Sequence, residues 1–450
     1  MASTLDSAIT GLYDAVYLNP QTAMGTVATD YDGNDAVGVS KASATSGKTY
    51  SISEERGAGY GRSKRRTEER HNSSWSIEGD LPVAGSAGGA SDLADMLSSG
   101  GMLTRYAANS TTVSGGSSTT TGVDVVDASG YTANASVVLI DGEARLVTAV
   151  DTAATPDRIT VSPALSSAPS DTVAVTGVDS YVMDNTTPEP VGLTGHMYGS
   201  GGRYGAVCRS MVVGKLNLEQ GTEGALRYMV EGIAQSISSF TYTTSDGSYG
   251  TGATTIGVND ANFPVNSRIV KQGGTETGMV VTNDYDSSPD VTRGSNPDSL
   301  SADDVLVGYL PAPTVQVDTV AAVAGQSFVN GVQIPDMGAK CEVDFDLQYS
   351  GERGNDKTFS RVHPGLVSVS LTLSGVQDRS SFNALERSLF GTLGMAMAQW
   401  GTEAGKVAAI FLPNALRTEQ RTDEIGDTGL VNLEATFEGV AHDVPFVLAL

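Results

Sequence analysis

An all-β fold with minor helices is the architecture this sequence predicts, and three observations point to it. Valine, threonine, serine and glycine are abundant, with 53 glycines and only 6% aromatic residues, a mix that favours strands and turns over helices. Apolar and polar residues alternate at period 2. In LVSVSLTLSGV (366–376), Val367, Val369, Leu371 and Leu373 define one face, and Ser368, Ser370, Thr372 and Ser374 the other. Such alternation marks a sheet with one wet face. The chain also repeats itself at two scales, the signature of an architecture built from units. Its 450 residues, 39% of them hydrophobic, suffice for about three domains of ~150 residues.

The larger repeat opens with a strand at 49–55 (TYSISEE). A polar loop follows at 56–72 (RGAGYGRSKRRTEERHN), then a returning strand at 73–81 (SSWSIEGDL). A short amphipathic helix is expected at 90–98 (ASDLADMLS), with strands at 208–219 and 225–234 (CRSMVVGKLNLE, ALRYMVEGIA). The second copy has the same parts in the same order. They are a strand at 341–349 (CEVDFDLQY), a loop at 350–365, the strand at 366–376, a helix at 382–393 (FNALERSLFGTL), and strands at 406–419 and 430–440. MVEG against TFEG sets Glu231 opposite Glu438, and IEG against LSG sets 77–79 opposite 373–375. In the second helix Phe382, Leu385 and Leu389 recur at helical steps, giving a face that packs on a sheet.

The smaller repeat lies inside the larger. VDVVDASGY (123–131) faces IGVNDANF (256–263), LVTAVD (146–151) faces VVTNDY (280–285), and SDTVAV (170–175) faces ADDVLV (302–307). Short apolar runs punctuated by Gly, Asn, Asp and Pro spell several strands closing a small sandwich or barrel. The expected division is a discontinuous first domain (1–110 and 181–236), a small inserted module (111–180), a second small module (237–313) and a second domain (314–450).

A formal net charge of −25 makes the surface repel nucleic acid and anionic membranes. The N-terminal stretch lacks the basic and apolar segments of a signal peptide, and no apolar run reaches the ~18 residues of a membrane span. Cys208 and Cys341 form no CxxC pair, and the four histidines form no HExxH, so neither zinc nor redox motifs occur. DYDGND (30–35) lacks the EF-hand frame. No catalytic constellation, metal site or cofactor motif emerges, and the chain is expected not to be an enzyme.

Several stretches resemble subunits of the tail tube (major tail protein) family of tailed viruses: VYLNPQTAMGT (16–26), SIEGDLPV (76–83), LNLEQGTEGALRYMVEG (216–232), FNALERSLFG (382–391) and LEATFEGVA (433–441). The resemblance covers most of 49–110, 181–236 and 341–442. It implies two tail-tube-like antiparallel β-sandwich or barrel domains, each flanked by a short helix, with the small modules added. It also implies a structural virion protein, made in the host cytoplasm, whose rings stack into a conduit for genome ejection. Rings in the family use six single-domain chains, so a duplicated chain predicts a homotrimer with pseudo-sixfold symmetry. Tail tip, terminator and length-setting proteins are the further partners implied, and viral DNA would pass without specific binding. The small modules are expected to project outward.

Two residue sets follow as candidates. Arg56, Arg62, Lys64, Arg65, Arg66 and Arg70, with Arg353, Lys357 and Arg361 in the matching loop, are basic residues suited to docking on an acidic patch of the next ring. Glu78, Glu219, Glu231, Asp344, Asp346, Glu434 and Glu438 lie on expected strands. On a lumen-facing side they would repel DNA. Two alternatives stay open: a tail hub or distal tail ring of the same fold, and a cell-surface array of glycan-binding β modules.

Overall fold

The computed structural model describes residues 13–450 except 14, 29, 57–61, 84, 87–90, 102, 184–189, 221–223, 260–262, 277, 283–290, 295–296, 313–317, 323, 335, 351–358, 360, 364, 377–392, 426–429 and 441–443; for 47–56, 62–72, 336–337, 349–350, 376, 421–425 and 430–433 it describes the backbone alone. The chain is all-β with minor helices. The strands begin with β1 (Ala15–Pro20), β2 (Ala36–Val37), β3 (Lys41–Arg56), β4 (Arg62–Asp80) and β5 (Thr104–Tyr106). A first small unit holds β6 (Thr111–Thr112), β7 (Gly122–Val125), β8 (Val137–Ile140), β9 (Glu143–Asp151), β10 (Asp157–Ser162) and β11 (Ala174–Val178). Then come β12 (Ser180–Val182), β13 (Leu193–Gly199), β14 (Tyr204–Gln220), β15 (Leu226–Ala234) and β16 (Ser236–Thr241). The second small unit holds β17 (Thr243–Thr244), β18 (Thr255–Ile256), β19 (Arg268–Lys271), β20 (Met279–Val281), β21 (Val291–Thr292) and β22 (Val305–Gly308). The second half is β23 (Gly325–Val329), β24 (Val332–Ile334), β25 (Asp336–Asp344), β26 (Gln348–Ser350), β27 (Arg361–His363), β28 (Ser368–Val376), β29 (Gly394–Glu403), β30 (Lys406–Ile425), β31 (Leu430–Gly439) and β32 (Val447–Ala449).

The halves share one wiring. The antiparallel pairings β1–β2, β1–β13, β3–β4, β4–β15, β13–β14, β14–β15 and β14–β16 recur as β23–β24, β23–β29, β25–β28, β28–β31, β29–β30, β30–β31 and β30–β32. β14 serves two sheets. Its first part lies between β13 and β16, and past a bulge between Val213 and Lys215 its second part lies against β15. β30 does the same, with a bulge between Arg417 and Glu419. A bulge bends its strand, and strands that change sheet make the corners of a sandwich. One apolar core, with Trp75, Ile77, Met211, Leu216, Val230, Val343, Leu371 and Phe437 among its members, is continuous across both halves. Gly232 lets Trp75 cross β15. A Cβ there would lie 2.0 Å from the Val212 carbonyl oxygen and 2.7 Å from the indole, whose Nε1 donates to the Ile233 carbonyl at 2.9 Å.

The small units also share one wiring, β6-β11-β8-β9-β10-β7 and β17-β22-β19-β20-β21-β18. Bridges Val113–Val125 and Ser245–Val258 tie the two ends of each sheet together, so each is a small barrel. Asn134 and Asn266 mark the same corner in both. Each has a left-handed backbone (φ 60° and 71°), a conformation in which asparagine is enriched, and each donates its N–H to a strand carbonyl, of Val147 and Val281 respectively.

The structure corrects several expectations. The polar loop at 56–72 is mostly strand, paired from Lys41–Glu78 to Arg56–Arg62. Its residues are polar at nearly every position, so no apolar alternation marks them as strand. The helix at 90–98 contracts to a helical turn, Met96–Gly100. A Cβ at Gly101 would lie 2.5 Å from the Leu97 carbonyl oxygen, and the chain turns away there. The helix at 382–393 falls mainly on 377–392, outside the described residues. The strand at 341–349 breaks after Asp344, because Asp346 adopts φ 42° and its carbonyl accepts the Gly365 N–H at 3.0 Å. With Glu231 beside Ser76 and Glu438 beside Ser370, Ile77 corresponds to Leu371, two residues from the alignment on IEG and LSG. Each small barrel is seated on a half through a buried apolar seam.

Candidate assembly site

The second part of β14 pairs on its outer side with β25, Lys215–Asp344 through Glu219–Lys340. This ladder fuses the halves into one run of strands, β3-β4-β15-β14-β25-β28-β31-β30. Rows of directly opposed residues cross the run and alternate between faces. Ala42, Ile77, Val230, Leu216, Val343 and Val369 form one core-side row. The neighbouring row on the other face is Lys41, Glu78, Met229, Asn217, Glu342, Ser370, Glu438 and Leu416.

Six of the seven carboxylates singled out from sequence share this wet face. Glu231 and Asp344 stand in the row of Ser43 and Ser76, Glu78 and Glu438 in the row just given, Glu219 in the row of Arg227 and Lys340, and Glu434 beside Ser374. Asp346 does not join them, because it lies in the turn after β25, where its carboxylate accepts the Leu366 N–H. The face is acidic but interleaved with cations. Lys41 meets Glu78 at 3.4 Å, Lys215 meets Glu342 at 2.6 Å and Arg227 meets Asp80 at 3.9 Å. The bond to Glu342 holds the Lys215 ammonium above its ordinary pKa. Glu342, Lys215 and Lys41 belong to the same face and were not among the residues singled out from sequence. The i, i+2 spacing of Lys340, Glu342 and Asp344 was the available signal.

Of the basic set, Arg56, Arg62, Lys64, Arg65, Arg66 and Arg70 lie on the β3–β4 ribbon. Its register sets Arg66 opposite Ile52, Lys64 opposite Glu54 and Arg62 opposite Arg56. β15 accompanies β4 only over Ser73–Asp80, so the ribbon continues past the sheet by about 11 residues, or ~36 Å at ~3.3 Å each. The matching loop has no such ribbon among the described residues. Arg361 is exposed on β27, paired with Ser350 on β26, and Arg353 and Lys357 lie outside the described residues.

The run has two open edges. Among the described residues β3 is paired on its outer side only at its start, by the bridge from Tyr13 to Ala42. β30 leaves β29 at Ala415, and among the described residues no strand pairs with its outer side beyond that point. These edges are equivalent to the two that meet at the internal joint, since β3 matches β25 and β30 matches β14. Unpaired edges are sites of strand addition.

The fold and this face define a duplicated, all-β protein whose most prominent unfilled feature is a pair of complementary strand edges. No protein-family model matches the chain, and no curated protein matches it.

Proposed function

We propose that this chain is a structural virion protein that closes into three-copy rings, which stack as the tail tube of a tailed virus. The observation that carries the reading is the internal joint. The β14–β25 ladder is a template for the same contact between chains. Transferring its register to the equivalent strands sets Leu416 against Thr45 of a second copy, Arg417 against Ala44, Glu419 against Ser43 and Gln420 against Ala42. The Tyr13 bridge gives way, at about 1 kcal/mol for its hydrogen bond, to a full ladder.

Three copies give 24 strands. At ~4.8 Å per strand the circumference is about 115 Å. Glu231 and its counterpart Glu438 stand one row apart on the wet face, so each half advances the register by two residues. Around six halves the stagger is about twelve residues, which tilts the strands by ~20° and sets a diameter of ~39 Å between opposite backbones. Such a bore admits a DNA duplex. The wet face lines it, because the core face is already covered by the second sheet of each half. A net acidic wall repels the polyanion and keeps passage free of binding. Tail tip, terminator and length-setting proteins would contact the ends of such a tube.

The test is a cysteine pair, Ser43→Cys with Glu419→Cys. Opposed residues in an antiparallel ladder lie ~4.5–5.5 Å apart at Cα, within disulfide reach. Oxidation is expected to give a ladder of linked chains ending at the trimer, with hollow rings in negative stain. A monomer that neither cross-links nor forms rings overturns the proposal.

A further inference from the structure

The first small barrel belongs by sequence to the first half but is seated on the second. Its flanking strands reach across. β5 pairs with β12, β12 pairs with β32, and β32 pairs with β30, so two strands that flank the insertion extend a sheet of the second half. Asp179, 1% exposed, is the knot of this crossing. Its carboxylate accepts Arg105 Nε at 2.8 Å and the Ala108 N–H at 2.7 Å, and its carbonyl accepts the Leu450 N–H at 2.9 Å. The barrel then adds an apolar seam, with Val137, Leu139 and Leu146 against Phe328, Met397 and Phe411. Gln399, buried on β29, clamps the β8–β9 turn from both sides. It accepts the Ala144 N–H and donates to the Gly142 carbonyl, each at 2.7 Å. The Arg145 guanidinium lies 4.9 Å from the centre of the Phe328 ring.

Among the described residues the second barrel makes no such crossing. It follows the first half and sits on that same half, against Tyr17, Tyr31, Tyr198 and Phe240.

From this difference we infer that the first small barrel is a brace that fixes the angle between the two halves. The β14–β25 ladder is five residue pairs long. The rotation between neighbouring strands in sheets ranges over roughly −10 to −35°, so a short ladder, even with the shared core and the Gly85–Gly405 and Gln235–Phe359 hydrogen bonds, leaves the halves some freedom to rock about it. A further attachment away from that line removes the freedom. The crossing at Asp179, the Gln399 clamp and the apolar seam supply it. The brace acts within one chain and stands whether or not chains form rings. In the proposed ring its consequence is that stiff joints inside each chain alternate with unbraced joints between chains.

Pulsed electron paramagnetic resonance on the full-length monomer, at a concentration too low for assembly, tests this. Spin labels go on Ser74→Cys and Glu438→Cys, both exposed and separated by five strand spacings and four residues along the strand, about 27 Å. Cys208 and Cys341 are fully buried and do not compete for label. The expected wild-type result is one narrow distance distribution. Replacing 111–178 by a short Gly/Ser linker abolishes the narrow peak. Gln399→Leu, which keeps the side-chain volume but removes the clamp, broadens it, whereas Tyr31→Ala in the other seam leaves it unchanged. If the deletion does not fold, Gln399→Leu decides. A peak that stays narrow in every variant with intact strand content overturns the brace, as does equal broadening by Tyr31→Ala. Rings absent from the wild type would count against the tube reading and leave this result standing.

Discussion

His196 sits where the second small barrel meets the first half, and protonating it should loosen that seam. The ring is fully buried and stacked on Tyr31 at 4.1 Å. Its Nε2 meets the Ala28 carbonyl at 3.2 Å, and its Nδ1 has no partner. The groups that face it are Tyr17 on β1, Tyr31, Tyr198 on β13, and Arg268 on β19, whose guanidinium lies over Tyr31 and Tyr309. Arg268 is the only charged group among these. Burial, reinforced by Arg268, pushes the imidazole down to about 4 against the Ala28 bond. An unfolded histidine titrates near 6.5. The unfolded chain therefore gains a proton as pH falls through 6.5, while the folded chain does not until about 4. Stability falls between those values by about 3 kcal/mol in total, at ~1.4 kcal/mol per pH unit. Half-buried Asp35 and surface Asp95, both raised mainly by desolvation, act with the opposite sign, so the comparison must be with a variant. His196→Phe keeps the stack and loses the bond to Ala28, at about 1 kcal/mol. Urea denaturation should find the variant less stable than wild type at pH 7 and more stable at pH 4.5. Parallel pH profiles for the two proteins would refute the reasoning.

Further outcomes follow from single contacts. Arg293 and Glu276 form an ion pair at 2.8 Å with both side chains 0% exposed; Arg293→Ala strands the carboxylate and should cost about 3–5 kcal/mol, read as early unfolding of the second barrel in denaturant. Gly232→Ala drives a methyl group into the Val212 carbonyl and Trp75 and should cost about 1–3 kcal/mol, with a shift in tryptophan fluorescence. Cys208 and Cys341 are buried thiols whose desolvation pushes them up to about 12, so a thiol reagent should modify neither until the protein unfolds. A native chain that labels rapidly would contradict that burial.

The fold class was readable because alternation is a local property. Val367, Val369, Leu371 and Leu373 announce a strand whatever lies beside it. The duplications were readable because both copies kept their short apolar runs and the Gly, Asn and Asp residues between them. The β3–β4 ribbon was readable over 49–55 and 73–80 but not over 62–72, where a sequence polar at nearly every position carries no alternation. The wet-face carboxylates were found one strand at a time, and only the register could gather six of them and exclude Asp346. The joint between the halves was invisible for a related reason. The β14–β25 ladder is made by backbone groups, and no side-chain pattern says which edges meet. The seating of the first barrel on the second half is farther still from sequence, because Gln399 and Gly142 are 257 positions apart.

Duplication also changes how the molecule can vary. In a ring of identical small subunits, any altered residue appears at every station around the axis. In the proposed ring each station of the first kind would be free to differ from its neighbour of the second kind. The ribbon extends to Arg56 and Arg62 in the first half, whereas its counterpart ladder, β25 with β28, runs among the described residues to Asp344 and Ser368, with the short β26–β27 pairing beyond it. In that ring a long basic finger that would collide or over-bind if present at every position could be kept at alternate ones.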